Sequence, residues 1–391
     1  SSAASDVYKR QIPVLYITGQ VNTYEYKYDK PVRQQGFQET DIVSMVKSVT
    51  KYAKLIDKAE DIKYELDKAL YIALSGRKGP VLLDLPMDIQ REEINPETLI
   101  GYSGESILNN PLIAWEEIRL LMESSHRPML LLGAGCCNSD MVLLNDFIRR
   151  HHFPVITSLM GRGAIDETYD NYIGMIGSYG NRCANMGVAN ADLLIALGTR
   201  LDTRQTGARL DQFLSNGHII HVDIDDNELE YHRLLNRKKV NCTIDCFLQK
   251  EKEMPISLGD ISEWNFFLHG LKQRYGQDAE IERFVENKSP YRFTQYFDSL
   301  TQTDDVICAD IGQNQMWAAQ TLRLKSGQKF VTSGGLAPMG FSLPVAIGCS
   351  FANPNKKVFS INGDGGFHMA IQSLMLISQY NLPIKVIILN N

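Results

Sequence analysis

The chain has 391 residues, enough for two or three domains at about 150 residues each and for a sizeable core. Hydrophobic residues make up 44% and charged residues 22%, which excludes a disordered, collagen-like or disulfide-dense chain. The formal net charge is −6 with no long basic run, and no apolar run reaches the ~18 residues that span a bilayer. Neither a nucleic-acid nor a membrane partner is therefore expected.

In chain order, Ser1 to Gln11 are small and polar with no period. They lack the apolar stretch of a signal peptide, and 1–11 is read as a non-native or disordered tail. The apolar run Ile12–Ile17 follows, and further runs begin at Pro80, Met129, Pro154, Leu193, His218, Val306, Val358 and Ile384. Amphipathic stretches of helical length separate them. Strands that alternate with helices predict parallel sheets, and continuous apolar runs predict strands covered on both faces. Prolines, glycines and polar residues mark 96–111 as a linker. The mixed segment 251–289 is a second linker, with a weak helical pattern from Trp264 to Tyr275. The expected fold class is α/β, with three doubly wound parallel-sheet domains at 12–95, 112–250 and 290–391. The first and last hold too few runs for the usual five or six strands and are read as incomplete. The final run, Ile384–Leu389, meets the chain end without a cap, so a chain truncated at both ends is expected.

The seven cysteines are odd in number and form no CxxC pair. Cys242 and Cys246 are spaced like half of a zinc site, but no second half follows. They are read as free thiols in a reducing compartment, hence a cytoplasmic location. The eight histidines include no HExxH, and the adjacent His151 and His152 point in different directions from a helix.

The densest chemistry lies near the end. Val358–Asn362 runs into Gly363-Asp364-Gly365-Gly366, and Asn390-Asn391 follows residues 366–389. With a helix at Met369–Gln379 and a strand at Leu382–Leu389, this is one βαβ unit. Asp364 and Asn391 then fall at the carboxyl ends of adjacent parallel strands, where open α/β sheets bind ligands. A carboxylate and an amide oxygen suit Mg²⁺, which is commonly shared with phosphates. Gly363, Gly365 and Gly366 let backbone N–H groups approach a diphosphate. Either fragment alone is as well read as a simple turn. Upstream, Gly133 and Gly135 form a G-x-G after the strand Leu130–Leu132, which alone is weak evidence for a dinucleotide.

GDG, a 24-residue gap (366–389) and NN resemble the cofactor motif of thiamine-diphosphate enzymes. Asp310–Trp317, Thr332–Phe341, Thr18–Val21, Gly36–Glu39 and Ser75–Val81 are similar to segments of the acetolactate synthase large-subunit group. The likeness runs from about Ile12 to Asn391. It implies that 12–95 is the C-terminal part of a pyrimidine-binding domain, 112–250 a central Rossmann-like domain, and 290–391 the N-terminal part of a diphosphate-binding domain.

The resemblance also implies roles. Asp364 and Asn391 would hold Mg²⁺, and Gln313 and Asn314 would contact the diphosphate. Family members usually carry His where Asn314 stands. Met339 would be the apolar wedge under the cofactor, and the backbones of Ala337 and Met339 would pair with the aminopyrimidine. Ala337-Pro338 replaces the more usual Gly-Thr. Gln20 would line the active site, or else cap a strand end. The implied reaction is thiamine-diphosphate- and Mg²⁺-dependent condensation of 2-keto acids in branched-chain amino acid biosynthesis. Pyruvate would give 2-acetolactate with loss of CO₂. A decarboxylase, another carboligase or an oxidase on the same scaffold, or a non-catalytic nucleotide-binding fragment, are the alternatives. The family's catalytic glutamate lies upstream of anything resembling Ile12, and Glu39 is in the wrong motif. The 391-residue chain is therefore expected to be inactive by itself. The implied assembly is a homodimer or homotetramer, with a regulatory small subunit as a further partner.

In the central segment, loops containing Met160, Gly161, Gly177, Arg200 and Arg204 resemble successive flavin-contact loops of acetolactate synthases. Asp223 and Asp225 end a strand where acidic side chains can accept ribose or adenine hydrogen bonds. Arg200 and Arg204 would neutralise a flavin diphosphate or close over the active site, or else be solvated or salt-bridged. FAD is the implied third cofactor. Relatives without flavin keep similar loops, some for ADP or CoA and some for nothing. Asp57 stands where many acetolactate synthases place a lysine.

Overall fold

The computed structural model describes residues 2–104, 114–234, 236–287 and 289–390. It divides into two compact units, one of residues 1–109 with 335–338, the other of residues 110–334 with 339–391. Every strand pairing is parallel.

The first unit holds β1 (Leu15–Gln20), β2 (Tyr52–Leu55) and β3 (Val81–Pro86) in the order β1-β3-β2. Helix Ile62–Leu74 packs Ala69 and Ala73 against Val81 and Leu83. Its C-terminal carbonyls receive the Lys51 ammonium, which donates to Ser75 O at 2.8 Å and to Ile72 O. Burial lowers the Lys51 pKa. Ser2–Lys9 form a helix instead of the irregular tail expected from their composition. Lys9 in its last turn suits the negative end of the helix dipole.

The second unit holds two sheets. The six-stranded one contains β4 (Pro128–Leu132), β5 (Val155–Thr157), β6 (Tyr172–Met175), β7 (Leu193–Leu197), β8 (His218–Asp223) and β9 (Arg237–Asn241). Their order is β6-β5-β4-β7-β8-β9, which is the 3-2-1-4-5-6 order of dinucleotide-binding folds. Side chains alternate between two cores, so Leu130 and Leu132 lie in one while Met129 and Leu131 lie in the other. Asp140 and Thr243 cap the flanking helices Met141–Arg150 and Ile244–Glu253. The segment expected as the linker 251–289 carries helices Ser262–Tyr275 and Gln277–Phe284. Trp264, Leu268 and Leu271 sit in the central core, so the first of these helices is a layer of the domain.

The four-stranded sheet contains β10 (Val306–Ala309), β11 (Lys329–Val331), β12 (Val358–Gly363) and β13 (Ile384–Leu389), in the order β11-β10-β12-β13. Ile307 and Ala309 face one core, Val306 and Cys308 the other. The helix expected at Met369–Gln379 is displaced and broken. It starts at Asp364, passes through a 3₁₀ turn at Ile371–Ser373, and resumes as Leu374–Gln379. All seven cysteines are free thiols. Among the described residues no helix is long and apolar enough to cross a membrane.

Candidate cofactor site

The strand order of the four-stranded sheet reverses between β10 and β12, which leaves a crevice beyond their carboxyl ends. Helix Gln313–Thr321 starts there, after Gly312 at φ 98°. Gln313 is exposed and Asn314 is buried. The Asn314 amide donates to Ile311 O at 2.9 Å, while its oxygen is buried with no hydrogen-bond partner. Gly363 closes β12, and Asp364 opens the next helix with a half-buried carboxylate. Among the described residues that carboxylate makes no hydrogen bond or ion pair. Gly363 pairs with Leu389, so Asp364 and Asn390 stand one step beyond the last paired positions of adjacent strands. Asn391 lies outside the described residues.

Asp310, a residue the sequence reading did not assign, organises this crevice. It is completely buried, and its carboxylate accepts from the backbone N–H of Ile311 at 2.6 Å, Gly340 at 3.2 Å and Ser342 at 3.3 Å. A Cβ at Gly366 would lie 2.9 Å from the same carboxylate. One side chain thus joins the end of β10, the turn after Met339 and the helix after β12. Its signal was a carboxylate directly after the apolar run Val306–Ala309. Met339 is 58% exposed, one of many exposed large apolar side chains here, so its exposure leaves it free to cover a ligand without itself pointing to one. Ala337, in the other unit, has φ 57°, a left-handed conformation that is uncommon outside glycine.

Gln20 is buried at the end of β1 with its amide fully engaged. It donates to Thr40 O at 2.7 Å and to Asp84 Oδ2 at 2.9 Å, and its oxygen accepts from Val21 N at 3.0 Å. Thr18 donates to the other Asp84 oxygen at 2.7 Å. Burial raises the Asp84 pKa and outweighs these two hydrogen bonds, which lower it.

The strand order of the six-stranded sheet reverses between β4 and β7, a second crevice, where the loops after β4, β5 and β7 meet at Gly133, Gly135, Gly161 and Gly198, while Gly177 after β6 touches Arg204. A Cβ on Gly133 would lie 2.2 Å from Gly198 O, and one on Gly161 would lie 2.1 Å from Leu132 O. The glycines here admit the protein's own backbone. Gly135 N donates to Gly198 O at 3.0 Å, and a Cβ on Gly177 would lie 2.7 Å from Arg204 O. Met160 packs against Gly334 of the last sheet's side, where a Cβ would come within 2.7 Å of its sulfur. Asp225 caps a short helix by accepting from Asn227 N, and Asp223 accepts from Asp225 N. Arg200 pairs with Asp202 at 3.3 Å. Arg204 is exposed, and among the described residues its guanidinium makes no hydrogen bond or ion pair.

The two crevices therefore differ in fit. At β10/β12 the donor set suits a diphosphate and Mg²⁺. It offers a helix N-terminus for the diphosphate and the Asp364 carboxylate, a hard oxygen ligand without a partner, for Mg²⁺. The Asn314 amide nitrogen lies beside Gly363, 3.3 Å from a built Cβ, with one N–H committed to Ile311 O and one left to donate. Among the described residues no three His, Cys, Asp or Glu side chains come together around one ion. Mg²⁺ shared with phosphates needs only one or two carboxylates.

Residues 116–245 match the family model described as the thiamine pyrophosphate enzyme central domain. Residues 310–391 match that of the C-terminal TPP binding domain. The whole chain is 36% identical to acetolactate synthase 2 of Nicotiana tabacum over 402 residues, covering 59% of that protein. It is 36% identical to acetolactate synthase 1 of Oryza sativa subsp. japonica, covering 60% of it, and 35% identical to acetolactate synthase of Arabidopsis thaliana, covering 58%. All three relatives are named as chloroplastic, and the chain spans roughly three fifths of their length. The chain belongs to the thiamine pyrophosphate enzyme family, with acetolactate synthases among its relatives.

Proposed function

We propose that the chain serves a thiamine-diphosphate- and Mg²⁺-dependent condensation of 2-keto acids, with pyruvate giving 2-acetolactate and CO₂. The observation that carries the reading is the convergence of Asp364, Asn314 and the start of helix Gln313–Thr321 at one strand-order reversal. When bound, thiamine diphosphate would supply the electron sink that decarboxylation of a 2-keto acid needs. Asp364, with Asn391, would hold Mg²⁺, and Gln313 and Asn314 would face the diphosphate. Gly365, with open space around a built Cβ, would leave room for the diphosphate, while Gly366 admits the Asp310 carboxylate that fixes the surrounding backbone. Met339 would cover the cofactor and exclude water.

FAD or an ADP-bearing ligand is proposed at the β4/β7 crevice, with the free Arg204 guanidinium as its cation. Assembly as a homodimer or homotetramer with a regulatory small subunit, and a reducing, cytoplasmic setting for the seven thiols, belong to the same proposal. Calorimetry with thiamine diphosphate tests the core of it. Binding should require Mg²⁺ and be lost in Asp364→Ala. Mg²⁺-independent binding, or full binding by that variant, would refute the reading. Acetolactate formed from pyruvate by the 391-residue chain would support the condensation over a decarboxylase or an oxidase on the same scaffold and would overturn the expectation that the chain is inactive by itself.

A further inference from the structure

Arg162 follows directly on Gly161, in the turn that closes over the end of β4, and its side chain is buried. Nε and Nη2 donate to the two Glu167 carboxylate oxygens at 3.0 and 2.5 Å. Nη1 donates to Ala319 O at 2.8 Å, and Nη2 to Leu322 O at 2.5 Å. These carbonyls end helix Gln313–Thr321, where intrahelical donors run out. Glu167 completes the clasp, since its N–H donates to Leu324 O at 2.8 Å and its carboxylate accepts from Leu324 N at 3.1 Å. Burial is the largest single influence and would lower the Arg162 pKa, but Glu167 and Tyr172 together outweigh burial and raise it.

A buried ion pair is weak evidence of stabilisation, because apolar replacements of similar volume often do as well. Its directional consequence is stronger. A planar fork of five donors engages one carboxylate and the end of one helix at once, which an ammonium cannot do. The nine-residue helix is about 13 Å long, and its other end carries Gln313 and Asn314. Holding one end of a stiff rod sets the depth of the other. The same turn presses Gly161 on Leu132 and Met160 on Gly334, so the clasp is continuous with the central crevice.

We propose that Arg162 and Glu167 are positioning residues that set where helix Gln313–Thr321 presents Gln313 and Asn314 to the cofactor diphosphate. The proposal rests on the thiamine diphosphate reading above. The test measures thiamine diphosphate binding with Mg²⁺ by calorimetry on the chain and on R162M, E167Q, R162K and the double variant R162M/E167L. Thermal unfolding and hydrogen exchange are followed alongside. The single variants R162M and E167Q should bind at least tenfold more weakly, with faster exchange across 313–321. R162K should recover part of the loss. The double variant should regain thermal stability while its binding stays weak. Recovery of binding together with stability would reduce the pair to a structural role and overturn the proposal. So would parental affinity in folded E167Q or R162M. No binding by the parent chain would overturn the cofactor reading and the proposal together, whereas parental binding untouched by the variants overturns the proposal alone.

Discussion

The two crevices of the second unit are built from the same sequence device, a glycine turn after an apolar parallel strand, yet they use it differently. At β4/β7 the space a Cβ would occupy is filled by backbone, with Gly198 O 2.2 Å from a Cβ built on Gly133 and Leu132 O 2.1 Å from one built on Gly161. At β10/β12, Gly312 and Gly365 have nothing within 4 Å of a built Cβ, and Gly363 meets only the Asn314 amide nitrogen at 3.3 Å. The first set of glycines lets loops pack closely. The second leaves backbone accessible at Gly312 and Gly365, beside the Asp364 carboxylate and an Asn314 amide whose oxygen has no hydrogen-bond partner, while Gly366 alone is closed by Asp310. A glycine motif therefore reports close approach, and only the geometry says whether protein or ligand makes that approach.

The largest effect that would break this contrast belongs to Gly161. Alanine there places a methyl group against Leu132 O and Gly133 Cα, both backbone, so no side chain can yield. The expected loss is about 3 kcal/mol, the upper part of the usual overpacking range. Denaturant unfolding of Gly161→Ala should show a lower midpoint at unchanged m-value. Parental stability would mean that the central crevice is looser than its backbone spacing indicates.

The second effect is a pH dependence built into the central crevice alone. His221 is fully buried beneath the loop after β7. Its Nε2 donates to Thr199 O at 2.7 Å, and its Nδ1 accepts from Arg237 at 2.7 Å, an arrangement that requires the neutral ring. Burial is the main cause that depresses its pKa to about 4, aided by Arg237 and His232 and opposed by the Thr199 hydrogen bond. Because the folded pKa lies below the unfolded value of about 6.5, the unfolded chain binds the proton first. The contribution is therefore complete above pH 6.5 and is lost as pH falls toward 4. At 1.36 kcal/mol per unit it amounts to about 3 kcal/mol. The difference in unfolding free energy between the chain and His221→Gln should narrow across that window. A constant difference would show that this histidine does not titrate with folding.

How far the sequence exposed these features follows from burial. The interior strands β3, β4, β5, β7, β8, β10 and β12 all begin within a residue or two of apolar runs visible in the sequence. The four strands without such a run are β2, β6, β9 and β11, and each lies at an edge of its sheet. β9 faces solvent on one side and tolerates polar residues, as in Arg237-Lys238-Lys239-Val240-Asn241, whereas β6, Tyr172–Met175, is buried throughout and is short and interrupted by Gly174. The motif around Asp364 was legible because it ends an interior strand. Asp310 and the Arg162–Glu167 clasp were not. Their roles arise from hydrogen bonds to backbone groups that a sequence does not display, between residues up to 160 positions apart. Gln20 shows the converse, a residue type that suits an active site whose amide is already committed to Asp84, Thr40 and Val21.

The smallest change in stability should carry the sharpest test of the comparison. Gly365 lies in the first turn of helix Asp364–Ala370, is exposed, and has open space around a built Cβ. Alanine there gains helix propensity, so Gly365→Ala should leave unfolding unchanged or raise stability by up to about 1 kcal/mol. If that open space belongs to the cofactor diphosphate, the same methyl group should weaken thiamine diphosphate binding at least tenfold. One substitution would thus move stability and affinity in opposite directions, whereas Gly161→Ala lowers stability through contacts that involve no ligand. Undiminished binding by Gly365→Ala would assign the open glycine to an ordinary helix start and shift the site's requirement onto Asp364 and the end of helix Gln313–Thr321.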